Sequence, residues 1–230
     1  MPMSAARPIL NPRDVPVGQV DAHLPSLPAA WLTPDALREH WSRVPLVAPE
    51  RPGDGNLWPG RAPRAAAVLV PLVRRPEGVQ VLLTRRTEAL KDHAGQISFP
   101  GGAVDDNDGD AWATALREAE EEIGLDRRHV EPLGVLPVYS TVTAFEVTPC
   151  VALVEPGFSL RLQAEEVADA FEVPLSFLMN PAHHQRHRID FMGAQREFLS
   201  MPWPDASGHF IWGATAAMLR NLYHQLTQGR

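Results

Sequence analysis

Residues 111–125 read AWATALREAEEEIGL. Advancing about 100° per residue from Glu118 puts Glu121 near −60° and Glu122 near +40°, so the three carboxylates share one helix face. Glu120 falls on the far side. Trp112, Leu116, Ala119 and Ile123 cluster between about 100° and 160°, an apolar stripe suited to docking on a sheet. Gly124 then stops the helix. Like charges on one face repel, and no lysine stands nearby to offset them. A solvated surface tolerates that arrangement; a divalent cation relieves it best. Carboxylate oxygens in this grouping suit Mg²⁺ or Mn²⁺, which also hold substrate phosphates.

Just upstream, Phe99-Pro100-Gly101-Gly102 sets two glycines where backbone can approach a ligand closely. Arg117 directly precedes Glu118, lies beyond the carboxylate face and can reach Glu121 as an ion pair that orients it. Farther out, the runs at 65–73 and 79–86 are short and rich in apolar residues, and the turn-like RRPEG between them predicts a β-hairpin. Residues 91–110 form a Gly- and Asp-rich loop before the helix. Strands are expected at 130–140 and 145–156, a short helix at EEVADAF (165–171), a strand at 171–178, a hairpin over 187–203 and a closing helix at 213–226. Strands mixed with a few helices, without regular βαβ alternation, indicate an α+β domain with a mixed sheet.

Before residue 65 the composition differs: about half of the 23 prolines lie there. Residues 1–64 read as a proline-rich arm with one short helix, started by Thr33 as cap and Pro34 at the first helical position. Residues 65–230 read as the main domain. The arm is expected to pack on that domain or on a second subunit of a homodimer. The net charge of −7 argues against broad nucleic-acid binding by charge alone. No apolar run approaches a membrane span, and MPMSAARPILNPRD lacks the apolar stretch of a secretory signal, so a cytoplasmic protein is expected. The single cysteine, Cys150, sits in an apolar run and reads as a buried bystander. His183, His184 and His187 lack Cys or Glu partners in metal-binding register and read as a solvated turn; His93 lies beside the glycine loop, where it could touch substrate.

Gly102 followed by Arg117-Glu118-Ala119-Glu120-Glu121-Glu122-Ile123-Gly124-Leu125 resembles the Nudix box, G-x5-E-x7-R-E-U-x-E-E-x-G-U, where U is aliphatic. Its second half matches throughout, with alanine as the first U. In its first half Asp108 stands for glutamate, and eight residues rather than seven separate it from Arg117. Leu82-Leu83-Thr84-Arg85-Arg86, Lys91, Gly95 and Phe99-Pro100-Gly101-Gly102 resemble the signature of the coenzyme A pyrophosphatase branch, L-L-T-x-R-[SA]-x3-R-x3-G-x3-F-P-G-G. Thr87 and Lys91 are its two departures. The resemblance covers roughly residues 65–225 and implies an α/β/α sandwich with a mixed sheet. It further implies Mg²⁺ or Mn²⁺ held by Glu118, Glu121 and Glu122. The implied reaction is hydrolysis of coenzyme A or acyl-coenzyme A to 4′-phosphopantetheine and 3′,5′-ADP. Arg85, Arg86, Lys91, Gly101 and Gly102 are the implied substrate contacts. The family draws its general base from differing glutamates; Glu166 is the candidate for an extra carboxylate, the alternative being a first-turn helix residue facing the dipole. Other nucleoside diphosphate derivatives, such as ADP-ribose or NADH, and a non-catalytic binding module on the same fold remain open at this point.

Overall fold

The structure is a computed structural model that describes residues 11–55, 60, 62–89, 93–191 and 194–229. In chain order the elements are β1 (Val17–Val20), α1 (Pro34–Arg43), β2 (Arg64–Val73), β3 (Gln80–Arg86), β4 (Ile97–Ser98), β5 (Gly101–Ala103) and α2 (Ala111–Ile123). They continue with β6 (Val130–Val135), β7 (Tyr139–Ser140), β8 (Phe145–Val154), β9 (Val167–Pro174) and α3 (Leu175–Leu178). The last are β10 (Gln185–Phe191), β11 (Ala194–Pro202), β12 (Phe210–Trp212) and α4 (Gly213–Leu226).

The apolar run of β2 lies inside a mixed sheet. It pairs in parallel with β8 along its whole length, from Arg64↔Phe145 to Val73↔Val154. Both faces of this sheet are covered, which explains why β2 reads as continuous apolar sequence rather than as an alternation. Ala67, Leu69, Val73, Leu82, Cys150 and Ala152 meet Ala115, Ala119 and Ile123 of α2 on one face. Val70, Leu72, Leu83, Val151 and Leu153 meet Ala216, Leu219 and Leu222 of α4 on the other. The result is an α+β sandwich. Burial also pushes the Cys150 thiol up to about 12, leaving an inert core group.

The expected hairpin forms over a short register, whereas the helix expected at EEVADAF does not form. The hairpin at 65–86 pairs only through Leu72↔Val81 and Val73↔Gln80. Beyond these, β3 takes β9 along one side, from Gln80↔Pro174 to Arg86↔Val167, and β4 on the other. EEVADAF is therefore not a helix: residues 167–174 are β9 and 175–178 a single helical turn. Val167, Ala170 and Phe171 have helical spacing, but the ladder with β3 overrides that weak local preference.

A second sheet, ordered β1-β10-β11-β12, joins the arm to the domain. Leu27, Leu32 and Leu37 of the arm enter the same core cluster as α4. The seam is charged. Asp21 is fully buried, accepts from Arg186 Nε at 2.8 Å and lies 3.1 Å from Arg220 Nη1. Glu50 pairs with Arg220 at 2.6 Å and with Arg186 at 3.2 Å, and Arg51 pairs with Glu197 at 2.9 Å. Burial pushes the Asp21 carboxyl up, and Arg186 and Arg220 outweigh it, so the group titrates below its ordinary range. The histidines expected in a solvated turn belong to this seam. His184 accepts from Arg220 Nη1 at 3.1 Å and donates to Leu178 O at 2.7 Å; burial lowers its pKa to about 4, so it stays neutral. His187 is buried between the Val15 carbonyl and Ser200 Oγ, while His183 stacks on Phe177.

Because removing the one fully buried carboxylate leaves the buried Arg220 and the part-buried Arg186 with only Glu50 and Glu197 as partners, Asp21→Ala is expected to lower the unfolding free energy by about 3 kcal/mol in a urea titration. A loss below about 1 kcal/mol, the scale of an exposed pair, would contradict this account of the seam.

Candidate active site

Helix α2 is fixed at both ends. The Asp110 carboxylate caps it by accepting from Ala113 N at 2.8 Å. Gly124 closes it in the left-handed conformation, φ +67°, with Leu125 N donating to Ala119 O. Small residues at 115 and 119 bring the helix close to the sheet, with Ile123 buried beyond them. This packing fixes the rotation of the helix, and so the direction in which its carboxylates leave it.

Glu122 lies at the edge of the apolar stripe, only 4% exposed. Its Oε2 accepts from Gly101 N at 3.1 Å, and Arg86 Nη1 stands 3.8 Å from Oε1. Burial pushes its pKa up to about 7; Gly101 and Arg86 oppose that rise, while Glu118 and Glu166 add to it. Glu118, largely shielded, is raised too, first by burial and then by Glu121 and Glu166, against Arg117. Glu121 is exposed. Glu120 points away and pairs with Arg127.

The Gly-Gly turn is shaped by this packing. Gly101 has φ +156°, and a Cβ there would lie 2.6 Å from Val68 Cα on the adjacent strand. A Cβ on Gly102 would lie 2.5 Å from Glu118 Oε1. The backbone amide that holds Glu122 and the space that admits Glu118 thus both depend on glycine.

Arg117 gathers the acidic groups. Its Nη1 donates to Glu118 at 2.8 Å and Glu121 at 3.0 Å, and its Nε and Nη2 grip Asp108 at 3.1 and 2.9 Å. Asp108 also accepts from Thr114 Oγ1 and Asp105 N, and these donors hold its carboxyl well below the usual range. The two departures of the sequence motif fit one geometry: aspartate is one methylene shorter than glutamate, and the loop before the helix is one residue longer.

The structure brings some expected residues together and separates others. Gly101, Gly102, Arg86, Arg117, Glu118, Glu121 and Glu122 share the α2 side of the sheet. Alternation along β3 sends Arg85 to the opposite face, with Val81 and Leu83. Glu166 sits in the turn before β9, so the alternative of a helix-dipole partner is removed. His93, exposed with φ +60°, bonds Gln96. Lys91 lies outside the described residues. Sequence reasoning missed Thr87, whose N–H and hydroxyl donate to the carbonyls of Glu166 and Glu165; only its departure from the signature marked it.

Among the described residues, no three acidic or imidazole side chains converge into a preassembled cation cage. Arg117 holds Glu118 and Glu121 instead. The donor set nevertheless suits a hard divalent cation: clustered carboxylates, one deeply buried, that raise one another's proton affinity. Arg117 engages one oxygen of each, Glu118 Oε1 and Glu121 Oε2, which leaves the second oxygen of each carboxylate for a cation.

Gly102→Ala is expected to leave the fold intact and cut divalent-cation affinity, since the new methyl displaces Glu118; calorimetric titration with Mn²⁺ checks this, and unchanged affinity contradicts it. A pH series gives a second test. A carboxyl raised from 4.5 to about 7 favours the fold in its neutral form, so its contribution is complete below pH 4.5 and lost as pH rises through 7. In chelator, Glu122→Gln is expected to remove that part of the decline, at most about 3 kcal/mol by pH 8. Thermal melts showing parallel pH profiles for both proteins would contradict it.

The NUDIX domain family matches residues 63–191. The uncharacterised Nudix hydrolase NudL of Escherichia coli (strain K12) is 43% identical over 166 residues, covering 71% of this chain and 83% of that protein. NudL of Shigella boydii serotype 18 matches with the same identity and coverage. Among solved structures, the NUDIX domain of Shewanella oneidensis NrtR complexed with ADP ribose aligns at 20% identity over 50% of this chain and 75% of that one, with TM-score 0.40. A MutT/nudix family protein from Enterococcus faecalis aligns at 16% identity over 74% and 64%, with TM-score 0.43.

Proposed function

The chain belongs to the Nudix hydrolase family, and from that premise we propose that it is a metal-dependent pyrophosphohydrolase of coenzyme A or acyl-coenzyme A. The products are 4′-phosphopantetheine, or its acyl form, and 3′,5′-ADP. The observation that carries the reaction class is the packing of Glu118 and Glu122 against the Gly101-Gly102 turn, with Arg86 and Glu166 beside them. The substrate assignment is supported by the segment from Leu82 to Gly102, with its resemblance to the coenzyme A branch.

Mg²⁺ or Mn²⁺ held by Glu118, Glu121 and Glu122 supplies, when bound, charge neutralisation at the diphosphate and a more acidic water. The chain's own groups do the rest. Arg117, anchored by Asp108, orients Glu118 and Glu121. Glu166 accepts the proton of the attacking water; the water oxygen bonds to phosphorus as the anhydride P–O bond breaks, and the leaving phosphate carries away the electron pair. Arg86, on the glutamate side of β3 and 3.8 Å from Glu122, is the cation assigned to the diphosphate. Lys91, the remaining cation of the signature segment, is the contact assigned to the 3′-phosphate that distinguishes coenzyme A from its 3′-dephosphorylated form; Arg85, on the opposite face of the sheet, is given no substrate role.

Steady-state kinetics on both substrates separate these roles. Glu121→Gln or Glu122→Gln is expected to lower kcat about a hundredfold or more on either substrate with the fold intact. Near-normal turnover would remove the helix from the mechanism. Lys91→Ala should raise KM for coenzyme A more than for the dephosphorylated form. Equal effects on both would sink the 3′-phosphate assignment.

A further inference from the structure

The turn that delivers Glu166 is tied to both elements that build the glutamate site. From the helix side, Gln163 N donates to Glu122 O at 2.9 Å and Arg161 N to Ile123 O at 2.9 Å, so the last carbonyls of α2 anchor the approaching chain. The turn then closes on itself, with Glu166 N and Val167 N donating to Gln163 O at 3.0 and 2.8 Å. From the sheet side, one residue past the last ladder pair, Arg86↔Val167, Thr87 adds to the attachment. Thr87 N donates to Glu166 O at 3.0 Å, and Thr87 Oγ1 donates to Glu165 O at 3.0 Å. Thr87 directly follows Arg86, which approaches Glu122. One short stretch of chain therefore reaches Glu122 with its guanidinium and fixes the Glu166 turn with its next residue.

The ladder makes this attachment necessary. Pairing of β3 with β9 runs regularly from Gln80↔Pro174 to Arg85↔Asp169, then skips Ala168, so that Arg86 faces Val167. A bulge ends regular pairing one residue short of Glu166 and leaves the turn beyond it without ladder support. Two hydrogen bonds from Thr87 to consecutive carbonyls replace that support. The hydroxyl is the part a side chain contributes; alanine cannot supply it, whereas serine can.

We propose that Thr87 is a positioning residue, whose hydroxyl holds the Glu165–Glu166 turn so that the Glu166 carboxylate stays over the glutamate helix. This rests on the reading of Glu166 as the proton acceptor given above. Thr87 does not itself touch the reacting atoms.

The test uses the full chain with coenzyme A and Mn²⁺, comparing Thr87→Val, Thr87→Ala and Thr87→Ser in the native and Glu166→Gln backgrounds. Valine keeps the shape of threonine and deletes only the hydroxyl. In the native background, valine and alanine are expected to lower kcat about tenfold with KM little changed, as for a displaced but present catalytic group, and serine to restore it. In the Glu166→Gln background, Thr87→Val should add nothing, because the group it positions is gone. Hydrogen exchange at the Val167 amide should accelerate in Thr87→Val and revert in Thr87→Ser, a readout independent of turnover. Full multiplicative loss on top of Glu166→Gln would overturn the proposal, as would native kcat in Thr87→Val. If Glu166→Gln is impaired while Thr87→Val is native, the clamp alone fails. If Glu166→Gln itself turns over normally, the reading of Glu166 fails and the clamp with it.

Discussion

The site depends on keeping the Glu122 carboxylate in a place where water hardly reaches it. A helix docked through alanines at 115 and 119 approaches the sheet closely, and the residue after Glu121 is drawn into the seam between helix and β5. The cost of burying that charge is opposed by one backbone amide and one nearby guanidinium. These contacts dictate much of what surrounds them. The strand supplying the amide must approach without side chains, hence Gly101 and Gly102. The guanidinium must come from the end of β3 that faces α2, hence Arg86 rather than Arg85. The pair balances imperfectly, and the carboxyl remains proton-hungry, with a pKa near 7. A group in that condition gains most from a divalent cation, so the strain in the resting site and its proposed chemistry share one origin.

Elsewhere the fold keeps the site's supports from moving. Helix α4 packs on the sheet face opposite α2, and its Thr215 hydroxyl donates to Ile97 O at 2.9 Å, tethering the strand that leads into the glycine turn. The same helix carries Arg220 into the charged seam with Asp21 and Glu50 of the arm. The arm also reaches the sheet through Asp54, which accepts from the Tyr139 hydroxyl, and through pairing of Gly53 with Ser140. The proline-rich sequence before residue 65, expected to pack on the rest of the chain, is bonded to it at several points.

What could be read from the sequence follows the range of the interactions involved. Helix α2 and its stop at Gly124 were legible because capping, periodicity and the left-handed glycine are local. The pairing of Arg117 with Glu121 was legible for the same reason, being one helical turn. Residues 165–171 were misread because their apolar spacing suits a helix, and only a partner strand some eighty positions earlier makes them β9. The histidines at 184 and 187 were misread because a polar run looks solvated until the arm covers it; the carbonyl that His187 meets belongs to Val15. Asp108 looked like a defect in the motif until its grip on Arg117 showed that a shorter side chain and a longer loop offset each other.

The central claim is that this carboxylate helix, with its cation, hydrolyses the pyrophosphate of coenzyme A. Its most direct test is hydrolysis of coenzyme A and ADP-ribose side by side, each with Mg²⁺ or Mn²⁺ and each with chelator, with products resolved by chromatography. The account predicts release of 3′,5′-ADP and 4′-phosphopantetheine from coenzyme A, clear preference over ADP-ribose, and loss of both activities in chelator. Preference for ADP-ribose would contradict the substrate assignment while keeping the reaction class, and undiminished turnover in chelator would contradict the role given to the carboxylate helix.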